Sequence, residues 1–197
     1  MNFRALALAF AVAVPSVVSL SPSAPFDGPR PAAASVAVLV SFEELVNRSS
    51  HVIVATAGEQ KSLWEELPSG RRIVTYTRLA VERTVAGPVE KEIWVRTLGG
   101  VVDKIGQSVS GEASFVRGAR ALVFVSTVDG QIVVTGRAQG HYPIVEVKDQ
   151  APTLASSPDA GALLPRRGPT ISARERLVGT ALEEAISTVK QARRSTR

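Results

Sequence analysis

The chain has 197 residues, 45% of them hydrophobic, which suits one core-bearing domain with tails. Its formal charge is +5, from 23 basic and 18 acidic residues scattered along the chain, so composition does not by itself argue for nucleic acid. Cysteine is absent, which excludes disulfide staples, thiolate metal sites, a thiol nucleophile and the lipid-attachment residue of a bacterial lipoprotein.

Met1 to Arg4 carries one positive charge, and Ala5 to Leu20 is an almost unbroken apolar run. That order is the secretory signal pattern, and Val17-Val18-Ser19 predicts cleavage after Ser19. Residues 1–19 are therefore read as a signal peptide. Pro15 and the shortness of the run disfavour an uncleaved anchor, which needs about 20 apolar residues. Residues 20–40 open with a stretch rich in Pro, Ser and Gly and are read as a disordered spacer.

Residues 41–147 read as a β-domain. Ser41 and Glu44 have capping-box spacing and open a short helix over about Phe42 to Arg48. His51 to Ala57 is a continuous apolar run, the mark of a strand buried on both faces. Glu59 to Ser69 is expected to be a polar loop carrying Leu63, Trp64 and Leu67. Arg71 to Val85 then alternates: Ile73, Thr75, Thr77, Leu79, Val81 and Val85 share one face, and Tyr76, Arg78, Glu82 and Thr84 the other. Glu92 to Leu98 is a second strand, ended by Gly99-Gly100, since glycine adopts backbone angles closed to other residues. Val101 to Phe115 is either a ragged strand or a long loop. Arg120 to Val128 and Gln131 to Gly136 form a hairpin around Asp129-Gly130, a pair suited to a type I′ turn.

Residues 148–171 are dense in Pro, Ser, Ala and Gly and read as a linker. Ser172 and Glu175 give a second capping box and open an amphipathic helix within residues 172–197. Its stripe of Val178, Leu182, Ala185, Ile186, Val189 and Ala192 lacks Trp and Phe. Bulky apolar residues usually mark interfacial helices, so docking back on the β-domain is expected rather than membrane binding.

Several segments together resemble a pattern found in exported, mostly uncharacterised bacterial domains. They include Ile73-Val-Thr-Tyr-Thr77, Val81-Glu-Arg-Thr-Val-Ala-Gly87, Ile93-Trp-Val-Arg-Thr-Leu-Gly-Gly100, Leu122-Val-Phe-Val125 and Gly136-Arg-Ala-Gln-Gly-His-Tyr142. More distantly they resemble the netrin-type barrel of the tissue inhibitors of metalloproteinases, an oligonucleotide/oligosaccharide-binding (OB) fold. The resemblance implies a mainly β fold: a small antiparallel, OB-like barrel with a short N-terminal helix and a C-terminal amphipathic helix. Those inhibitors act through an amino-terminal cysteine, so protease inhibition is not carried over.

No assembled catalytic motif appears. His51 and His141 lack the close partner histidine that a zinc site commonly uses, and no metal or other cofactor is expected. There is no Gly-x-Ser-x-Gly elbow. Ser187-Thr-Val-Lys190 has Ser-x-x-Lys spacing but lacks the partner motifs of penicillin-recognising enzymes. Glu43/Glu44, Glu65/Glu66 and Glu183/Glu184 are adjacent pairs, whereas acid/base pairs flank a substrate. The binding candidates are Tyr76, Arg78, Trp94 and Arg96, predicted on the outer faces of neighbouring strands, where aromatic and arginine groups stack on bases or sugars. For Trp94 the favoured reading is a cover over one end of the core.

These readings converge on an exported, non-enzymatic interaction module of the periplasm or extracellular space. Its expected partner is a protein or glycan of the envelope, not nucleic acid, and no stable transmembrane segment remains after processing. The rival reading is a secreted hydrolase whose site assembles only in the fold, around His51 or His141 with a carboxylate.

Overall fold

The computed structural model describes residues 37–165 and 170–195. The signal-peptide reading and nearly all of the spacer lie outside the described residues. In chain order the elements are β1 (Ala37–Val38), α1 (Phe42–Arg48), β2 (His51–Leu67), β3 (Gly70–Ala86), β4 (Glu92–Leu98), β5 (Gly100–Val102) and β6 (Ile105–Gln107). There follow β7 (Arg120–Val128), β8 (Gln131–Val134), β9 (His141–Val145), β10 (Thr153–Leu154), β11 (Leu163–Leu164), α2 (Ala173–Leu177) and α3 (Leu182–Ser195). Single 3-10 turns occupy Arg137–Gly140 and Pro158–Ala160. The fold is mainly β.

Seven strands join in the order β10-β9-β7-β2-β3-β4-β8. Neighbours are antiparallel except β4 and β8, which run parallel with Val95 beside Ile132. β8 also pairs antiparallel with β7, closing the tight turn at Asp129-Gly130, where both residues have positive φ. Two small pairs stand apart from this sheet: β5 with β6, and β1 parallel to β11.

The first halves of β2 and β7 are buried on both faces. Val52, Val54, Leu122 and Phe124 point to one side, where Phe42, Leu45, Leu177, Leu182, Ile186 and Val189 of the helices cover them. Ile53, Ala55, Val123 and Val125 point to the other, against Leu79, Val95 and Val134. While Val178 stays exposed, the apolar stripe of the carboxy-terminal segment from Leu182 to Ala192 is thus packed within the molecule. Arg193 fastens it, donating at 2.7 Å to both the Val46 and Ser49 carbonyls at the end of α1. Those carbonyls have no partner within a helix, and a cation also suits the negative end of the helix dipole.

Three expectations are corrected. Glu59 to Leu67 is not a loop but the continuation of β2, paired residue by residue with β3 up to Leu67 opposite Gly70. Opposite charges face each other there (Glu65 with Arg72, Glu66 with Arg71), and such cross-strand pairs support a ribbon whose composition is polar. The linker reading of residues 148–171 misses a packed segment: β10 pairs with β9, and Leu154 and Ala160 are buried. The single carboxy-terminal helix is two helices. Gly179, at φ +82°, turns the chain between them and donates to the Leu154 carbonyl at 2.8 Å. Val101 to Phe115 resolves into the β5–β6 hairpin and a loop.

Ser41 and Ser172 both cap as their spacing predicts, each accepting from a backbone amide at 3.0 Å, and Glu175 completes the second box at 2.8 Å. Leu177 is fully buried in the helix-covered core. A Leu177→Ala variant should lose about 2–5 kcal/mol of unfolding free energy. The loss should appear as a lower urea midpoint at unchanged slope.

Candidate functional site

The interior-facing residues of β2, β3 and β4 change character along the strands in successive cross-strand rungs. Ala57, Leu79 and Ile93 form an apolar rung; Gln60, Thr77 and Val95 form the next; Ser62, Thr75 and Thr97 form the third. Thr77 and Thr97 are only 1% and 5% exposed, so hydroxyls sit where valine would pack. Beyond Leu98, Gly99 and Gly100 turn the chain at φ +95° and +132° into the β5–β6 hairpin. A side chain at Gly100 would come within 2.2 Å of Thr75 Oγ1, so only glycine lets the hairpin lie against the third rung.

Between these rungs, the hairpin and the loop that follows it lies a cleft of about 470 Å³. Its floor is Gln60, Thr75, Thr77 and Thr97, and its walls include Gln107, Glu112, Ser114 and Phe115, with Asp159 reaching in from the segment after β10. Each polar group has an anchor. Gln60 donates to the Phe115 carbonyl at 2.7 Å, Thr75 to the Gly99 carbonyl at 2.7 Å, and Thr97 to the Thr75 carbonyl at 3.3 Å. Gln107 accepts from the Ile73 amide at 2.7 Å, and Asp159 accepts from the Ser114 amide and hydroxyl at 3.2 and 2.5 Å. Hydroxyls and amides held this way keep spare lone pairs or protons for a ligand.

Among the described residues no lysine or arginine lines the cleft, in a chain whose net charge is positive. Its charged groups are Asp159 and Glu112. Burial pushes the Glu112 carboxyl above the usual carboxylate range, against Arg137 at 3.7 Å and a hydrogen bond from the Leu98 backbone.

Tyr76, Arg78, Trp94 and Arg96 lie together on the opposite face of the same strands, Tyr76 beside Arg96 and Arg78 beside Trp94. Most of their polar groups are engaged with neighbours, although Arg78 Nε is buried with no partner among the described residues. Glu65 accepts from Tyr76 at 2.7 Å and from Arg96 at 3.0 and 2.6 Å, and Arg78 donates to Glu92 at 2.9 Å. The Arg96 hydrogen bond draws the Glu65 carboxyl below its ordinary range despite burial, while burial raises the Tyr76 phenol. Trp94 is 37% exposed with the Lys61 ammonium 5.1 Å above its ring, so it belongs to the solvent face and does not cover the core. Four cleft residues escape sequence reasoning: Gln60 sits in the expected loop, Gln107 and Glu112 in an irregular stretch, and Asp159 in the expected linker. The one available signal is the run of threonines on the apolar side of the long strand.

The histidines do not meet. His51 lies at the start of β2, and its Nδ1 is buried with no partner among the described residues. His141 is 5% exposed, with its ring 4.8 Å from that of Phe115 and its Nδ1 3.4 Å from Ser157 Oγ. This serine–histidine pair is therefore buried and joined by a long contact. No family model matches the chain, and no curated protein matches it either.

Burial lowers the His141 pKa from 6.5 to about 4, with Asp159 opposing. Between those values the unfolded chain binds the extra proton, so this contribution is intact above the upper one and is lost as pH falls toward the lower. The loss should reach about 3 kcal/mol. Urea unfolding at about pH 7 and about pH 4.5 should show it, and a His141→Gln variant should show a flatter dependence. Equal slopes in the two proteins would refute the assignment.

Proposed function

We propose that the chain is an exported, non-enzymatic binding module on an OB-type barrel, and that it takes a hydroxyl-rich ligand such as a glycan segment in the cleft. The barrel reading is supported by the double pairing of β8, which links β2, β3, β4, β8 and β7 into a ring of hydrogen-bonded neighbours. A five-stranded Greek-key barrel with one parallel contact is the OB arrangement. The observation that carries the ligand reading is the hydroxyl floor, buried Thr77 and Thr97 with half-buried Thr75, opening on a cleft without basic side chains among the described residues. Hydroxyls placed where valine would fit lower core stability unless they are hydrogen-bonded. A phosphate backbone would call for lysine or arginine.

Titration with the neutral disaccharides cellobiose, maltose and chitobiose, followed by amide NMR, tests the reading. At least one should shift Thr77, Thr97 and Gln107, and Thr77→Val should weaken that sugar roughly fivefold, the worth of one hydrogen bond. Shifts confined to the Tyr76–Trp94 face, or none at all, would overturn it. Export is proposed from the segment ending at Ser19. Intact-mass measurement of secreted protein should then place the amino terminus at Leu20.

A further inference from the structure

A second cavity, of about 90 Å³, lies beside the cleft and shares Ser114 and Phe115 with it. Its wall is largely apolar, formed among others by Ala55, Ala57, Leu79, Ala121, Val123 and His141. Ala55 and Ala121 face each other across β2 and β7, and larger side chains at these positions would fill the space. We infer that the ligand is two-part: a hydroxylated body in the cleft and a short apolar substituent, of acetyl size, in this second cavity across the Ser114–Phe115 wall.

This rests on the reading of the cleft as a binding site and adds the class of ligand. Size sets the class. An apolar cavity of roughly 150 Å³ holds benzene, so the smaller space here suits a methyl-bearing group and not a ring. Polarity agrees with that, because a water needs two to four polar partners and the wall is mostly alkyl. Of the wall's two basic residues, His141 adds no positive charge at neutral pH, since burial holds its pKa near 4, and the Arg120 guanidinium is paired with Glu82 and Glu146. The two cavities together match a sugar carrying an acetamido group better than a plain polyol.

The test compares chitobiose with cellobiose, a similarly linked pyranose pair that lacks the acetamido groups. Chitobiose should bind about fourfold more tightly or better, the worth of one buried methyl group. It should also shift the Ala57 and Ala121 methyl resonances, which cellobiose leaves in place. An Ala121→Val variant, which fills the cavity, should abolish that preference and keep cellobiose binding. Xenon dissolved with the wild-type protein provides a reading independent of any variant's folding, and it should shift the same two methyls. Equal binding of the two sugars, or methyls silent to xenon, would overturn the inference and leave the cleft reading standing. If none of the three disaccharides shifts the cleft residues, both fall together.

Discussion

The structure depends on two adjacent strands whose first halves have no wet face. β2 and β7 place Val52, Val54, Leu122 and Phe124 on one side and Ile53, Ala55, Val123 and Val125 on the other. A strand pair of this kind needs two covers at once, because leaving either side open exposes a contiguous apolar surface to water. The helices supply one cover and the curling of β3, β4 and β8 supplies the other. The small polar devices serve these covers. Ser41 and Ser172 fix where helices start, Gly179 lets the chain turn between α2 and α3, and Arg193 binds the third helix to the first.

The curled cover also explains where the cleft lies. Its strands pass from Leu79 and Ile93, deep in the interior, to Thr75 and Thr97 within two rungs. The floor is therefore part of a hydrogen-bonded sheet, while the walls come from connections far apart in the chain. A rigid scaffold bearing variable loops is the usual division of labour at binding sites. The opposite face of these strands is organised differently. There the tyrosine and arginines satisfy glutamates of the same sheet, so much of their hydrogen-bonding capacity is spent within the protein.

Residues that answer to one local rule were legible in the sequence. The alternation from Arg71 to Val85, the Asp129-Gly130 turn, the two serine caps and the doubly buried start of β2 each follow from a period or a single backbone requirement. The rest depends on partners that a linear reading cannot supply. Glu59 to Leu67 is strand because β3 pairs with it, although its composition is that of a loop. Leu154 is buried because β9 and the turn after α2 hold its backbone, in a stretch otherwise typical of linkers. The cleft was illegible for the same reason: Gln60, Glu112 and Asp159 meet only through the fold. Thr75 and Thr77 were assigned to the interior side, but nothing local distinguishes a core threonine from one that floors a cleft.

The bond from Arg193 to the Val46 carbonyl joins residues separated by 147 positions. Closing so wide a loop comes at an entropic cost before the contact returns anything, which makes such topologies slow to form. Until α3 arrives, Val52, Val54, Leu122 and Phe124 make a sheet surface only partly covered, by the shorter helices. Nascent or partly folded chains are then exposed to self-association for as long as the loop stays open.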